Sequence, residues 1–148
     1  MPQSLAAVLI HAVFSTKDRR PWLTPDIRQE LHPYLVGVLA NIGCPSIQTG
    51  GTADHVHTLF RLSRTASVAQ VIEKVKTSTS KWVKTKGARD FAWQSGYGAF
   101  SVGSGEADRI VAYIRNQEEH HRKVTFQDEL RGLLREAGMD FDERYLWD

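Results

Sequence analysis

From Asp54 to Leu62 the side chains alternate, with Val56, Thr58, Phe60 and Leu62 on one side and His55, His57, Leu59 and Arg61 on the other. A period of two marks a β-strand and fixes which side chains share a face. A chain carrying such a strand must cover at least one of its faces, and the next segment supplies a cover. Ser67 and Gln70 form a capping box that opens an amphipathic helix to Lys84. Its apolar stripe is Val68, Val71, Ile72, Val75, Trp82 and Val83, which leaves Lys74, Lys81 and Lys84 pointing outward.

The other segments read in the same way. Leu5 to Phe14 is a near-continuous apolar run, the pattern of a buried strand. Thr24 followed by Pro25 starts a helix whose Ile27, Leu31, Leu35, Val38 and Ile42 recur at helical spacing until Gly43 stops it. Cys44 to Gly51 is a short strand that turns at Gly50-Gly51, and Gly96 to Val102 is a fourth strand. A helix follows over 106–123, and Thr125 caps a last helix before the tail, within 125–148. The order β-α-β-β-α-β with further helices predicts one α+β domain over 1–148, ferredoxin-like or RRM-like, with a mainly antiparallel sheet of four to five strands covered by helices.

Composition narrows the setting. A length of 148 residues suits one domain. The longest apolar stretch, near Leu5 to Phe14, is too short to span a bilayer, and the first residues lack a basic region before an apolar one. The single cysteine, Cys44, excludes an intrachain disulfide and fits a reducing compartment. The expectation is a cytoplasmic protein without a membrane partner. The net charge of +2 hides an asymmetry: Arg64 to Arg89 carries seven basic residues and one acid, whereas Glu118 to Asp148 carries nine acids and five bases. A basic middle of this kind can steer a polyanion, or be a solvated helix face.

Two patterns carry chemistry. In Asp54-His55-Val56-His57 both imidazoles lie on one strand face and can reach one divalent ion; the same pattern also arises when one His ends a strand and the other packs. A structural zinc site is disfavoured with one cysteine. In Tyr113-Ile114-Arg115-Asn116-Gln117, Tyr113 and Gln117 are four residues apart and share a helix face. A tyrosine nucleophile starts from a pKa of about 10 and needs help. A metal ion supplies that help by stabilising developing negative charge, and a Gln carbonyl oxygen is a hard ligand suited to Mg²⁺ or Mn²⁺. Trp93, Tyr97 and Phe100 read first as core aromatics and second as platforms for bases.

These residues in this order resemble the single-tyrosine HUH (His–hydrophobe–His) transposases of bacterial single-stranded-DNA insertion sequences, including those associated with repetitive extragenic palindromes. The likeness runs from Ile10-His11-Ala12-Val13-Phe14-Ser15-Thr16-Lys17 through Asp54-His55-Val56-His57 and Phe91-Ala92-Trp93-Gln94-Ser95-Gly96-Tyr97. It continues through Tyr113-Ile114-Arg115-Asn116-Gln117-Glu118-Glu119-His120-His121 to Asp142-Glu143-Arg144-Tyr145-Leu146-Trp147. The resemblance implies a bacterial DNA transposase that cleaves and rejoins single-stranded DNA at hairpin-marked ends. His55, His57 and Gln117 would hold Mg²⁺ or Mn²⁺, with His121, one turn past Gln117, as an alternative or extra ligand. Tyr113 would form a 5′-phosphotyrosine, and Arg61, Arg64, Lys74, Lys81 and Lys84 would lie along the DNA backbone. It also implies a homodimer in which each tyrosine helix serves the partner's His pair. Two rivals remain: a non-catalytic ferredoxin-like nucleic-acid-binding module, and an HUH replication initiator or nicking endonuclease.

Overall fold

A computed structural model describes residues 3–147. Four strands, β1 (Leu9–Ser15), β2 (Ser46–Gly51), β3 (His55–Arg61) and β4 (Gly98–Val102), form one antiparallel sheet in the order β2-β3-β1-β4. The expected first strand starts at Leu9 rather than Leu5, because its partners run out there: Leu9 pairs with Arg61 on one side and Val102 on the other. The glycines expected to turn at 50–51 instead finish β2, opposite His57 and Val56.

Helices α1 (Pro25–Asn41) and α2 (Val68–Lys84) cover one sheet face. The Thr24 side chain accepts from the Ile27 N–H and caps α1, while Ser67 and Gln70 form the expected box on α2. Ile10, Ala12, Phe14, Val56 and Phe60 meet Leu31, Leu35, Leu39, Val71, Ile72 and Val75 in this core. Trp93 belongs to it as well, with its ring edge-on to Phe14 and its Nε1–H donating to Thr79 Oγ1 at 3.0 Å. Of the three aromatics considered for base stacking, Trp93 is therefore core, Phe100 is half-buried and Tyr97 is exposed.

The opposite sheet face is covered too. The helix expected over 106–123 divides at Asn116, whose backbone (φ −95°, ψ 16°) leaves the helical region, into α3 (Ala107–Arg115) and the single turn α4 (Gln117–His120). Helix α5 (Phe126–Glu136) and the short α6 (Glu143–Leu146) follow. Leu9 and Leu59 pack with Ile110 and Ile114 of α3, and Val13 packs with Phe126, Leu130 and Leu134 of α5. Cover on both faces accounts for the burial of every residue of β1, the polar His11 and Ser15 included. No described helix is long and apolar enough to cross a membrane.

Candidate metal and tyrosine centre

The side chains that share His55's face of β3 look toward α3, α4 and α5, and there the candidate site residues meet. His55 and His57 are fully buried. Gln117 places Oε1 3.0 Å from His55 Nε2, and Tyr113, one turn earlier, brings its ring to 5.6 Å from that of His57. Tyr113, Gln117, His55 and His57 thus converge within one chain. Arg61 shares the strand face of the His pair but is exposed at the strand end. Arg64, Lys74, Lys81 and Lys84 are also exposed, the lysines on α2 and so on the far side of the sheet from the centre.

The hub of the centre is Glu129 on α5, which the sequence reading does not single out. Although acidic, it is buried. Its Oε1 lies 2.9 Å from His57 Nε2, 3.4 Å from His55 Nε2 and 3.1 Å from His121 Nε2. Its Oε2 accepts from the Tyr113 hydroxyl, from Gln117 Nε2 at 3.1 Å and lies 3.2 Å from His120 Nε2. The signal for it was present: Phe126, Glu129, Leu130, Leu133 and Leu134 keep helical spacing, so Glu129 occupies a place on the buried stripe. His11 was the second omission. On β1, beside β3, its Nε2 lies 2.8 Å from His57 Nδ1, and it fixes that ring from behind.

The electrostatics follow from burial and these contacts. Burial works against a charge on His55, but the bonds to Asp54 (Nδ1 to Oδ1, 2.7 Å) and Glu129 prevail and raise its pKa to about 9. For His57 burial wins and the pKa falls to about 4; His11, buried and beside His57, falls to about 3. Burial and the Glu129 charge push the Tyr113 phenol well above its usual value. Burial alone would raise Glu129, yet donation from His121, His55 and His57 holds its carboxyl far below the carboxylate range. The phenol is therefore protonated and the carboxylate charged in this arrangement.

The donor set could hold a metal ion. Ligand atoms of His55, His57, His121 and Glu129 all lie within 4.8 Å of one another. His121 Nε2 is buried 3.1 Å from Glu129 Oε1, turned toward the same point as the Nε2 atoms of His55 and His57. Asp54 holds His55 Nδ1 as an outer carboxylate does behind a metal-bound imidazole. Imidazole nitrogens, a carboxylate and an amide oxygen together span the preferences of borderline and hard divalent ions.

The fold and the centre define an α+β domain with a His–hydrophobe–His strand facing a tyrosine helix, and the sequence match assigns that domain to a family. Residues 4–117 match the IS200-like transposases, and the chain belongs to that family. Its family places it among transposases, enzymes that act on DNA. A candidate transposase of Deinococcus radiodurans R1, solved at 1.90 Å, has a similar fold (TM-score 0.64, 17% identity, covering 77% of this chain and 93% of that one). So does a REP-associated tyrosine transposase bound to a REP hairpin (TM-score 0.63, 17% identity, 88% and 84%). No curated protein sequence matches the chain.

Proposed function

We propose that this chain cleaves and rejoins single-stranded DNA at hairpin-marked ends, with Tyr113 as nucleophile. The observation that carries the reading is convergence: the Tyr113 hydroxyl, Gln117 and the Nε2 atoms of His55 and His57 all reach the one Glu129 carboxylate, so nucleophile and metal donors face one point. A binding module has no need of such a focus. A cleft of about 270 Å³ lined by His11, Phe100, Arg109, Tyr113 and Glu136 opens beside the phenol and gives a strand a way in.

His55, His57 and Gln117 are the proposed ligands of a Mg²⁺ or Mn²⁺ ion. Bound there, such an ion would supply Lewis-acid polarisation of the scissile phosphate and would offset the Glu129 charge beside the phenol. The Tyr113 oxygen then bonds to phosphorus, the bond from phosphorus to the 3′ oxygen breaks with its electron pair leaving on that oxygen, and the 3′ end takes up a proton as the phenol gives one up. The product is a 5′-phosphotyrosine and a free 3′-hydroxyl. Rejoining reverses the exchange at a new 3′ end. Arg61, Arg64, Lys74, Lys81 and Lys84 are proposed to neutralise phosphates of the hairpin, a step that needs charge but not proximity to the tyrosine. A hairpin lying along the exposed outer surface of α2, with its single-stranded flank reaching round to the tyrosine, reconciles the two locations.

The test is a denaturing gel of protein incubated with Mn²⁺ and end-labelled oligonucleotides copied from the DNA flanking the gene. A metal-dependent protein–DNA adduct that Tyr113→Phe abolishes, with hairpin binding retained, is the expected result. Binding without an adduct would identify the non-catalytic module.

A further inference from the structure

Glu129 lies beyond residue 117, where the family match ends, on a helix that could be a mere C-terminal addition. Its surroundings argue otherwise. Phe126, Leu130 and Leu134 seat α5 on Val13, and the Thr125 side chain caps it by accepting from the Asp128 N–H at 3.2 Å. The helix is thus fixed by apolar contacts on either side of Glu129, and the carboxylate is not needed to dock it. Within hydrogen-bond reach Glu129 has imidazoles, a phenol and an amide; no lysine or arginine contacts it among the described residues. Ligand atoms of His55, His57, His121 and this buried carboxylate all lie within 4.8 Å of one another, so a divalent ion is a partner they are placed to share.

The two oxygens also divide their contacts. Oε1 faces the Nε2 atoms of His55, His57 and His121, whereas Oε2 takes the Tyr113 hydroxyl, accepts from Gln117 Nε2 and lies 3.2 Å from His120 Nε2. We propose that Glu129 is a bridging carboxylate: one oxygen is a ligand of the divalent ion and the other orients the Tyr113 hydroxyl, so that the C-terminal helix is part of the reaction centre. This rests on the metal-dependent tyrosine reading above. It adds a ligand to the His55, His57 and Gln117 set and a positioning residue for the nucleophile, both on one side chain. Loss of the carboxylate therefore affects two observables at once, the affinity for the ion and the reactivity of the tyrosine once the ion is bound.

The experiment titrates Mn²⁺ into the full-length protein by electron paramagnetic resonance, comparing the unaltered chain with Glu129→Gln, Glu129→Asp and His57→Ala. Circular dichroism melts of each variant check that it is folded. Glu129→Gln keeps size and hydrogen bonding but removes the charge, and should weaken Mn²⁺ binding by at least about tenfold, the range seen when a supporting group of a metal site is lost. Glu129→Asp keeps the charge and should recover part of that affinity. At saturating Mn²⁺, adduct formation by Glu129→Gln should stay slower than in the unaltered chain, with partial rescue by Glu129→Asp, which a merely structural role would not produce. Glu129→Gln binding Mn²⁺ as tightly as the unaltered chain, or more tightly, while His57→Ala loses it, would overturn the inference and leave the metal site standing. Absence of Mn²⁺ binding by the unaltered chain would overturn both.

Discussion

Gly50 governs how close α3 comes to the sheet, and its replacement by alanine should loosen the centre without unfolding the protein. Gly50 pairs with His57 across β2 and β3, and a Cβ placed on it would lie 2.8 Å from the Ile114 carbonyl oxygen and 3.1 Å from Ile114 Cγ2. Carbon–oxygen contacts of this kind normally sit at about 3.3 Å or more, so the helix would have to retreat by roughly 0.5 Å. A carbonyl cannot swing aside as a flexible side chain can. Ile114 follows Tyr113 and precedes Gln117 by three residues, so both travel with it. Overpacking of this sort costs about 1–3 kcal/mol, which for a chain of this size lowers the melting temperature by roughly 3–9 °C. A misplacement of 1 Å can cost about a hundredfold in rate, so half of that should slow adduct formation on the order of tenfold. Thermal melts and single-turnover adduct assays, run well below the melting temperature, measure the two effects. An unchanged melting temperature together with an unchanged adduct rate would refute the claim that this glycine sets the position of the tyrosine helix.

Other outcomes follow from the same geometry. His11→Leu removes the group behind His57 Nδ1 and should weaken Mn²⁺ binding roughly ten- to hundredfold while the circular dichroism spectrum is retained; unchanged affinity would deny His11 that role. Stability of the metal-free protein should be greatest near pH 6.5. His11 and His57 have folded-state pKa values of about 3 and 4, below the ordinary 6.5, so the stability they confer as neutral groups is complete above pH 6.5 and is lost as pH falls toward 4, by about 1.4 kcal/mol per pH unit for each. His55, raised to about 9, contributes fully below pH 6.5 and loses that contribution as pH rises through 9. Urea unfolding at pH 4.5, 6.5 and 9.5 measures this, and a flat profile would contradict it. Replacing Lys74 and Lys81 with alanine should weaken single-stranded DNA binding and flatten its salt dependence by up to roughly 1.4 in the log–log slope, about 0.7 for each phosphate left without its lysine; an unchanged slope would return α2 to a solvated face.

The strands and helices were legible where local pattern decides them. Alternation from His55 to Arg61, the Thr24-Pro25 start and the Ser67–Gln70 box each act within a few residues, and each appears as expected. The Tyr113 and Gln117 pair was legible because helical spacing relates them directly. The break at Asn116 was not: nothing in Tyr113-Ile114-Arg115-Asn116-Gln117 forbids a continuous helix, and the interruption arises where α3 hands over to the turn that carries Gln117, His120 and His121 to the centre. Glu129 was hidden for a different reason. A glutamate on an amphipathic helix ordinarily faces water, and only its place beside Phe126 and Leu130 on the buried stripe marks it as exceptional. Its partners lie 8–74 residues away along the chain, beyond the reach of any local pattern.

The central claim is that Tyr113 becomes covalently joined to DNA when a divalent ion is present. Mass spectrometry of a tryptic digest of the Mn²⁺-dependent adduct addresses it most directly, since cleavage after Arg109 and Arg115 isolates Tyr113 in the peptide 110–115. The account predicts a nucleotide phosphate on Tyr113, absent when Mn²⁺ is withheld. A phosphate carried by Tyr97, Tyr145 or any other residue, or an adduct that forms equally well without metal, would contradict it.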